Sequence, residues 1–404
     1  MKIAYITAQT PFGNTEAFIL EEMIRLQKEE VSLTIFPRNP PREIFHNEAL
    51  NFLKDAVWLP LFNFNILREF IISLIIKPKI MKMLYCIIKK SRSYNIFLKN
   101  LIVFPKAVYI AKLIREMPVD HIHAHWGSTT STMALIISEL TGIPWSMTLH
   151  RWDIKENNLL KIKAEKAAFL RCISENGKNE VLQIVGKRYN YKVKVLHLGV
   201  NIPNRIFDYK KVNRREFVIS CPANIIPVKG HKYLIEACYL LKKRGISNLE
   251  CLIIGDGSLE ADVKKQVCQL NLENIVKFLG RLPHEKIIQM YEKSEVDVVI
   301  IPSIVTHDGE KEGIPVSLME AMAYGIPVIS TNTGSISELL GDGAGIMVPA
   351  KSSADIADSI WKLMQSKSLR EKIARAGLRK VKESFNNIEN TKNLIKMFES
   401  ELKI

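Results

Sequence analysis

One stretch in the C-terminal half constrains the fold of this chain more than any other. An apolar run predicts a strand over Asp297–Ile301, and a polar loop follows it. A short helix is predicted over Ile314–Tyr324, because a proline near its start and Gly325 just past its end are ordinary helix boundaries. A second strand is predicted over Val328–Thr331. A strand, a helix and a strand in this order form a βαβ crossover, which requires a parallel sheet.

The loop before this helix lies where parallel sheets bind ligands, at the carboxyl end of a strand. It carries Glu312, and Glu320 lies further along, inside the helix. At ~3.6 residues per turn, the two carboxylates are about 12 Å apart along the axis. That spacing suits two contacts with one extended ligand better than a catalytic dyad that shares a proton. The helix N-terminus also favours an anion such as a phosphate.

The plain alternative is that both glutamates are structural. Glu312 would then only stabilise the N-terminal end of the helix dipole, and Glu320 would lie on a solvated face.

The length and the cysteines narrow the class of protein. A chain of 404 residues is too long for a single core and predicts two domains. Its six cysteines include no C-x-x-C pair and no metal-binding spacing, so they are typical of reduced thiols in the cytoplasm. The apolar N-terminus is followed by Glu16, Glu21 and Glu22 without a cleavage site, and it therefore predicts a strand and not a signal peptide.

The net charge of +15 is concentrated between Phe52 and Arg115, where twelve cations face two anions. The same segment is rich in large apolar residues, but its cations recur too often for a membrane-spanning helix, which needs ~20 apolar residues. Interleaved basic and apolar residues indicate helices that lie on an anionic membrane surface. The alternative is a helical hairpin that packs against the core and keeps its lysines in solvent. No nucleic-acid recognition motif is present, so nucleic acid is not a predicted partner.

Histidines are concentrated in the N-terminal half. Alternation predicts a strand over Val119–His125 that puts His121, His123 and His125 on one face. Three histidines at this period are a possible metal site, but no carboxylate is positioned to complete it, so no metal is predicted. A further strand, Trp145–Leu149, delivers His150 to the carboxyl edge of the sheet.

Four motifs resemble the donor-site signature of family 4 glycosyltransferases, in the bacterial branch that builds exopolysaccharides and lipid-linked glycans. They are Glu312-Gly313-Ile314-Pro315, Glu320-Ala321-Met322-Ala323, Gly325-Ile326-Pro327-Val328 and Thr333-Gly334-Ser335-Ile336. The resemblance implies an α/β fold of the GT-B type, with two Rossmann-like domains facing each other across a cleft. It implies an acceptor-side domain over residues 1–200, with the basic helical insertion at about 52–115. Residues 201–385 would form the donor domain, and the final helix, 386–404, would cross back to the first domain.

The resemblance also implies roles for single residues. Glu312 would contact the donor sugar hydroxyls, and Glu320 would hold the ribose. Lys229 matches the lysine of the family's phosphate loop and would neutralise the diphosphate, together with backbone amides near the helix start. The full set implied for donor binding is Gly13, Asn224, Lys229, Gly255, Arg281, Gly313, Ile314, Val316 and Glu320. The catalytic set implied is His150, Asp153 and Glu312, and the acceptor-side pair is His123 and His125.

Two departures from the family pattern stand out. Asn224 occupies the place of an arginine in the phosphate loop, and asparagine lacks the fork of cationic donors, so Arg281 or another cation would have to replace it. The first strand-to-helix loop, Phe12–Glu16, has one glycine where family members have a Gly-rich turn; alone it predicts a turn followed by a helix cap at Asn14 or Thr15.

The resemblance implies a retaining glycosyltransferase. It would move a sugar from a UDP- or GDP-linked donor to a lipid-linked or polysaccharide acceptor, as a peripheral protein on the inner face of the plasma membrane. There is no D-x-D pair, and no cofactor or metal is expected. Two alternatives remain open: a donor-binding partner subunit of low activity, which the missing arginine suggests, and a sugar-nucleotide epimerase of similar fold. The epimerase would turn over the donor without any acceptor.

Overall fold

The computed structural model describes residues 1–13, 16–39, 43–44, 47–204 and 216–402. The chain divides into two compact units: unit 1 comprises Met1–Leu198 with Ile388–Ile404, and unit 2 comprises Gly199–Asn387. Each unit holds one six-stranded sheet in which neighbouring strands are parallel. The predicted α/β class is therefore confirmed.

Strands and helices alternate through unit 1. The strands are β1 (Lys2–Thr7), β2 (Ser32–Pro37), β3 (His121–His125), β4 (Trp145–Leu149), β5 (Phe169–Cys172) and β6 (Val193–Val195). The helices are α1 (Ala17–Lys28), α2 (Phe64–Ile76), α3 (Pro78–Lys90), α4 (Tyr94–Arg115), α5 (Thr129–Thr141), α6 (Arg151–Glu156), α7 (Leu160–Lys166) and α8 (Glu175–Val185). The sheet order is β2-β1-β3-β4-β5-β6. Strands β3 and β4 are buried along their whole length, as expected for a parallel sheet covered by helices on both faces.

Unit 2 repeats this alternation. Its strands are β7 (Phe217–Pro222), β8 (Leu249–Ile254), β9 (Val276–Gly280), β10 (Val298–Ile301), β11 (Val328–Thr331) and β12 (Ile346–Val348). Its helices are α9 (His231–Lys243), α10 (Glu260–Gln269), α11 (His284–Glu292), α12 (Val316–Ala323), α13 (Ile336–Leu340), α14 (Ser353–Gln365) and α15 (Lys367–Ser384). The sheet order is β12-β11-β10-β7-β8-β9. The last helix, α16 (Asn387–Leu402), belongs to unit 1 from Ile388 onward, where Leu394 and Phe398 join the apolar core.

The strand order reverses once in each sheet. In unit 1 the chain adds β2 on one side of β1 and β3 on the other, and in unit 2 it adds β8 and β9 on one side of β7 and β10 on the other. The loops that leave the carboxyl ends of the two strands at such a reversal diverge, which opens a crevice for ligands. Each unit therefore has one preferred position for a binding site.

The basic segment predicted over 52–115 forms three helices, α2, α3 and α4, and α4 packs in the core. Lys106, on α4, is completely buried. Its Nζ donates hydrogen bonds to the carbonyl oxygens of Pro37 (2.7 Å), Arg38 (2.9 Å) and Leu59 (2.8 Å). Burial lowers the pKa of Lys106 to about 8. This lysine ties the end of β2 to the core and is not part of a surface, which corrects the prediction for one of the twelve cations.

The other two helices expose apolar side chains. We call this surface the α2–α3 face; its exposed apolar residues are Phe64, Leu67, Ile71, Ile72, Ile75, Ile76, Met81, Tyr85 and Ile88. Ile71 and Ile75 lie one turn apart on α2, and Met81, Tyr85 and Ile88 recur at helical spacing on α3. Among the described residues, the apolar stretches of the helices are too short to cross a membrane.

A buried ion pair holds together the strands beneath the unit 1 site. Arg171 on β5 is 1% exposed and pairs with Glu22 on α1. Its remaining donors bind the carbonyl oxygens of Leu196 (2.9 Å) and His197 (3.0 Å), and Glu22 also accepts a hydrogen bond from the hydroxyl of Tyr5 (2.9 Å). Removing one partner of such a pair leaves a charge in the core without compensation.

We therefore expect Arg171→Met to lower the free energy of unfolding of unit 1 by about 3 kcal/mol. Lys392→Met is the control, because Lys392 forms an exposed pair with Glu389 in the same unit and should cost about 1 kcal/mol or less. Urea unfolding followed by tryptophan fluorescence reports mainly on unit 1, which holds Trp58, Trp126, Trp145 and Trp152 of the five tryptophans. Equal losses in the two variants would contradict the structural role of Arg171.

Candidate functional site

The switch point of unit 2 brings Lys229 and Glu312 together. Lys229 lies in the short 3-10 turn Pro227–Lys229 after β7, and Glu312 lies in the loop after β10. The Nζ of Lys229 is 2.5 Å from Oε2 of Glu312, and both side chains are largely shielded from solvent. These are the two charged residues for which the resemblance implies contact with the diphosphate and with the sugar. They lie at the carboxyl ends of neighbouring strands, where a parallel sheet binds its ligands.

Gly334 holds the Glu312 loop in place. This glycine, in the loop between β11 and α13, has a φ of +57°, which side chains other than glycine seldom adopt. A Cβ at this position would lie 1.7 Å from the carbonyl oxygen of Glu312. The backbone of Glu312 therefore packs directly on the glycine. The amide of Gly313 in turn donates a hydrogen bond to Oε1 of Glu312 (3.2 Å).

The N-terminus of α12 opens beside this loop. Pro315 is the N-cap and Val316 begins the helix, two residues later than predicted, so the proline precedes the helix. The first backbone bonds of the helix run from Leu318 and Met319 to the carbonyl of Pro315. The amide of Val316 lies before these two amides in the chain, at the helix N-terminus, which attracts anions. Ile314, whose amide is the other predicted contact, is buried.

Glu320 does not lie on a solvated face. Its Oε1 is 2.8 Å from Nε2 of His284, the first residue of α11, and its side chain is 17% exposed. His284 carries no motif in the sequence, and only the packing of α11 against α12 reveals it. The plain structural reading of Glu320 as a solvated residue is therefore wrong.

Arg281, the predicted replacement for the missing arginine, forms a bidentate salt bridge with Asp256. Its Nε donates to Oδ2 (3.0 Å) and a terminal nitrogen to Oδ1 (2.5 Å), and these hydrogen bonds lower the pKa of Asp256. Asp256 follows Gly255, whose own backbone lies against that of Ala223: a Cβ on Gly255 would be 2.3 Å from the carbonyl oxygen of Ala223. Asn224 is exposed in the adjoining loop.

In unit 1 a chain of polar contacts leads to His150, which follows β4. Nε2 of His150 lies 2.7 Å from Nε2 of His125, so one ring must donate a proton to the other. Nδ1 of His125 is 3.4 Å from the hydroxyl of Tyr5, which donates to Glu22. The ring of Trp126 covers His150, with 4.5 Å between the ring centroids.

Both histidines are held in the neutral form. Burial lowers the pKa of His150 to about 3, and it lowers the pKa of His125 well below its usual range. At neutral pH His150 is therefore a hydrogen-bonding group and not a cation.

His123, the other predicted acceptor-side residue, lies in the core. Its ring is completely buried, and its two nitrogens contact the hydroxyls of Ser146 (2.8 Å) and Thr148 (3.0 Å). Phe398 of α16 packs edge-on against the ring. Contact between His123 and an acceptor would require this packing to open, because both ring nitrogens are already engaged.

Asp153 is completely buried at the start of α6. Its Oδ2 accepts a hydrogen bond from the backbone amide of His150 (3.0 Å). Burial raises the pKa of Asp153 to about 7, although the hydrogen bonds from the backbone amides of Gly127 and His150 oppose the shift. Asp153 therefore fixes the backbone at His150, whereas the imidazole Nε2 faces His125.

The loop after β1 is organised by a residue that the motifs do not reveal. Oε2 of Glu16 accepts hydrogen bonds from the backbone amides of Gln9 and Thr10, both 2.7 Å, and Oε1 accepts one from the indole of Trp126. Gly13, predicted to face the donor phosphates, donates its amide to the carbonyl oxygen of Glu43 (3.0 Å). The helix cap predicted at Asn14 or Thr15 lies outside the described residues.

A cavity of about 460 Å³ lies beside these residues in unit 1. Its wall includes two tryptophans and four charged residues, which are Arg38, Lys99, Trp126, Trp152, Asp153 and Glu156. Burial lowers the pKa of Arg38, and its guanidinium donates to the hydroxyl of Thr129 (2.7 Å). Aromatic faces together with charged hydrogen-bonding groups suit a polar organic ligand such as a sugar.

We expect Gly334→Ala to loosen the Glu312 loop, because the added methyl must displace the backbone of Glu312. Gly343→Ala is the matched control: its φ is +74°, and no atom lies within 4 Å of the added Cβ. The control should cost about 1 kcal/mol for its backbone angle, and Gly334→Ala should cost about 1–3 kcal/mol more. Hydrogen exchange over α12 and α13 measures the difference; equal protection in both variants would show that the contact is unimportant.

Comparison with known proteins agrees with this geometry. Residues 201–380 match the family model for glycosyl transferases group 1. The amylovoran biosynthesis glycosyltransferase AmsK of Erwinia amylovora is 30% identical over 248 residues, which are 59% of this chain and 59% of AmsK. The putative colanic acid biosynthesis glycosyltransferase WcaL of Escherichia coli K12 is 34% identical over 170 residues, 42% of this chain and 41% of WcaL. The chain thus matches less than two thirds of the length of these relatives.

A solved structure extends the likeness to the whole fold. Anabaena Alr3699/HepE, in complex with UDP and glucose, matches with a TM-score of 0.72 over 99% of this chain and 100% of that one, at 16% identity. Each unit of the present chain thus has the parallel sheet with flanking helices that the GT-B fold predicts. Residues 201–380, which lie within unit 2, are therefore a glycosyl transferases group 1 domain.

Proposed function

We propose that this protein transfers a sugar from a nucleoside-diphosphate sugar to an acceptor, and that unit 2 binds the donor. The observation that carries the proposal is the Lys229–Glu312 pair at the switch point, with the N-terminus of α12 beside it. A cation and a helix N-terminus are what a diphosphate needs as negative charge builds on it during transfer. The similar structure that binds UDP and glucose supports the same assignment.

The donor would change the partners of the charged residues. The phosphates would replace Glu312 as the partner of Lys229, and Glu312 would then be released to accept hydrogen bonds from sugar hydroxyls. The amides of Ile314 and Val316 would meet the diphosphate, and Glu320, oriented by His284, would accept from the ribose. The positive charge for the leaving diphosphate would come from Lys229 and α12, so we expect no metal to be needed.

The residues proposed for catalysis in unit 1 are His150 and Asp153. His150 is neutral, and its Nε2 would exchange His125 for a substrate hydroxyl as its hydrogen-bond partner, while Asp153 holds the backbone at His150. Retention of the anomeric configuration is what the family 4 resemblance implies, and it is part of the proposal.

We further propose an acceptor that is lipid-linked or a growing polysaccharide, used at the inner face of the plasma membrane. Relatives named for amylovoran and colanic acid biosynthesis support an exopolysaccharide role. The exposed apolar residues of the α2–α3 face, with cations such as Lys82 and Lys89 beside them, suit a protein that docks on anionic lipids. The cavity lined by Trp126 and Trp152 is the proposed place for the acceptor sugar.

One observation favours a second candidate, a donor-binding subunit of low activity. Asn224 stands where the family has an arginine, and the nearby Arg281 is already paired with Asp256. A chain of this kind would bind the donor and transfer little sugar by itself.

The first experiment identifies the donor and separates the candidates. Only a ligand of the folded protein raises its melting temperature by mass action, so UDP- and GDP-sugars are screened for thermal stabilisation. The donor found is then incubated with and without membranes. Transfer to lipid or polysaccharide supports the proposal, binding without transfer supports the subunit, and turnover without an acceptor supports an epimerase.

We expect Lys229→Ala to weaken donor binding roughly tenfold or more, because a charge-assisted hydrogen bond contributes about 1.5–3 kcal/mol. Glu312→Gln should abolish transfer and leave the fold intact. Lys232→Ala is the control, since Lys232 lies on the exposed side of the neighbouring helix α9. Calorimetric titration and a transfer assay measure the two effects. Normal turnover by either Lys229→Ala or Glu312→Gln would refute the site.

We expect the double variant Ile71→Asn and Ile75→Asn to lose binding to anionic vesicles. Each side chain buries apolar area in the membrane interface, and together they should contribute roughly tenfold or more in affinity. Tyr191→Asn, which removes a side chain that is 66% exposed elsewhere in unit 1, is the control. Vesicle sedimentation at low and high salt measures the binding. Unchanged sedimentation of the double variant would exclude the α2–α3 face as the docking surface.

A further inference from the structure

A second cavity, of about 210 Å³, lies in unit 1 between α3, α5 and α7. It is lined by six apolar or sulfur-bearing side chains: Met83, Cys86, Ile87, Leu135, Leu159 and Ile162. Three of them are buried and three are partly buried. We call this cavity the α3 slot. None of the residues assigned to sugar transfer lines it.

The other four residues that line the slot are charged: three lysines and one glutamate. Glu139 on α5 contacts Lys79 (3.3 Å) and Lys166 (3.2 Å). Lys82 is exposed one turn along α3 from Lys79. Burial raises the pKa of Glu139, but the hydrogen bonds from Lys166 and Lys79 outweigh it and lower the pKa. Glu139 therefore stays charged at neutral pH, and the lysines still leave an excess of positive charge.

These walls define the chemistry of an occupant. Apolar side chains offer no partners to ordered water, which needs two to four polar contacts, so hydrocarbon suits the interior of the slot. The lysines that line the slot attract an anionic group. The same helix, α3, exposes Met81, Tyr85 and Ile88 on the α2–α3 face, so the slot adjoins the surface proposed to meet lipid.

We infer that the α3 slot binds one acyl chain of an anionic phospholipid, whose phosphate is held by Lys79, Lys82 and Lys166. Lipid binding in the slot is separate from sugar transfer. It goes beyond docking of the α2–α3 face, because it selects one lipid molecule by both its chain and its head group.

The direct test is calorimetric titration of the full chain with dioctanoylphosphatidylglycerol below its micelle concentration. One molecule should bind per chain. Dioctanoylphosphatidylcholine, which has the same chains and no net charge, should bind roughly tenfold more weakly, as expected for the loss of about 1.4 kcal/mol. Glycerol 3-phosphate, which lacks the chains, should not bind. Absence of saturable binding, or equal binding of the two lipids, would overturn the inference.

Two sets of variants locate the lipid. Lys82→Glu with Lys166→Glu reverses two charges at the slot, whereas Lys187→Glu with Lys194→Glu reverses two exposed charges elsewhere in unit 1. Only the first pair should weaken binding, again roughly tenfold. Ile162→Trp fills the slot and should abolish binding of the lipid without unfolding the protein. Equal binding by all these variants would place the lipid elsewhere.

Cys86 gives an independent readout inside the slot. Cys268 is the exposed thiol, and the other four cysteines are buried, so in Cys268→Ser protein a maleimide reports on Cys86. Bound dioctanoylphosphatidylglycerol should slow its alkylation. Vesicle sedimentation tests the α2–α3 face separately. A protein that sediments with vesicles but binds no monomeric lipid would retain the membrane proposal and lose the slot.

Discussion

Parallel pairing of the strands is the constraint on which the candidate sites depend. In a parallel sheet the carboxyl ends of all strands lie at one edge, so the loops that follow them are brought together regardless of their separation in sequence. In unit 2 this edge joins Lys229, which follows β7, to Glu312, which follows β10, across more than eighty positions of the chain. In unit 1 the same rule places His125 and His150 side by side at the ends of β3 and β4.

The two candidate sites differ in how they compensate for the burial of charged groups. In unit 2 the charges are kept and paired, as with Lys229 and Glu312, because a partly buried cation needs an anionic partner. In unit 1 the histidines at the edge lose their charge instead, since burial lowers the pKa of His150 to about 3. Unit 2 is therefore suited to an anionic group, and unit 1 to neutral hydroxyls. This difference matches the division between donor and acceptor that we propose.

The inserted helices α2, α3 and α4 show how one stretch of sequence serves several environments. Helix α4 completes the core and even buries Lys106, whose three hydrogen bonds to carbonyl oxygens satisfy the ammonium group. Helices α2 and α3 leave apolar side chains such as Ile71 and Met81 exposed, although Ile80 and Ile87 of α3 reach the core. Between α3 and its neighbours, the apolar side chains do not close completely, and the α3 slot remains. Amphipathicity alone therefore did not decide which face of each helix is buried.

The sequence by itself determined the alternation of strands and helices, the boundaries of elements such as Trp145–Leu149 and Val328–Thr331, and the motif residues of the candidate donor site. Local chemistry is sufficient for these, because apolar runs, prolines and glycines act over a few neighbouring residues. Only the tertiary structure decided that His284 contacts Glu320, that Arg281 is paired with Asp256, and that His123 lies in the core. Those contacts depend on which strands and helices become neighbours, and such choices follow from the packing of the whole sheet.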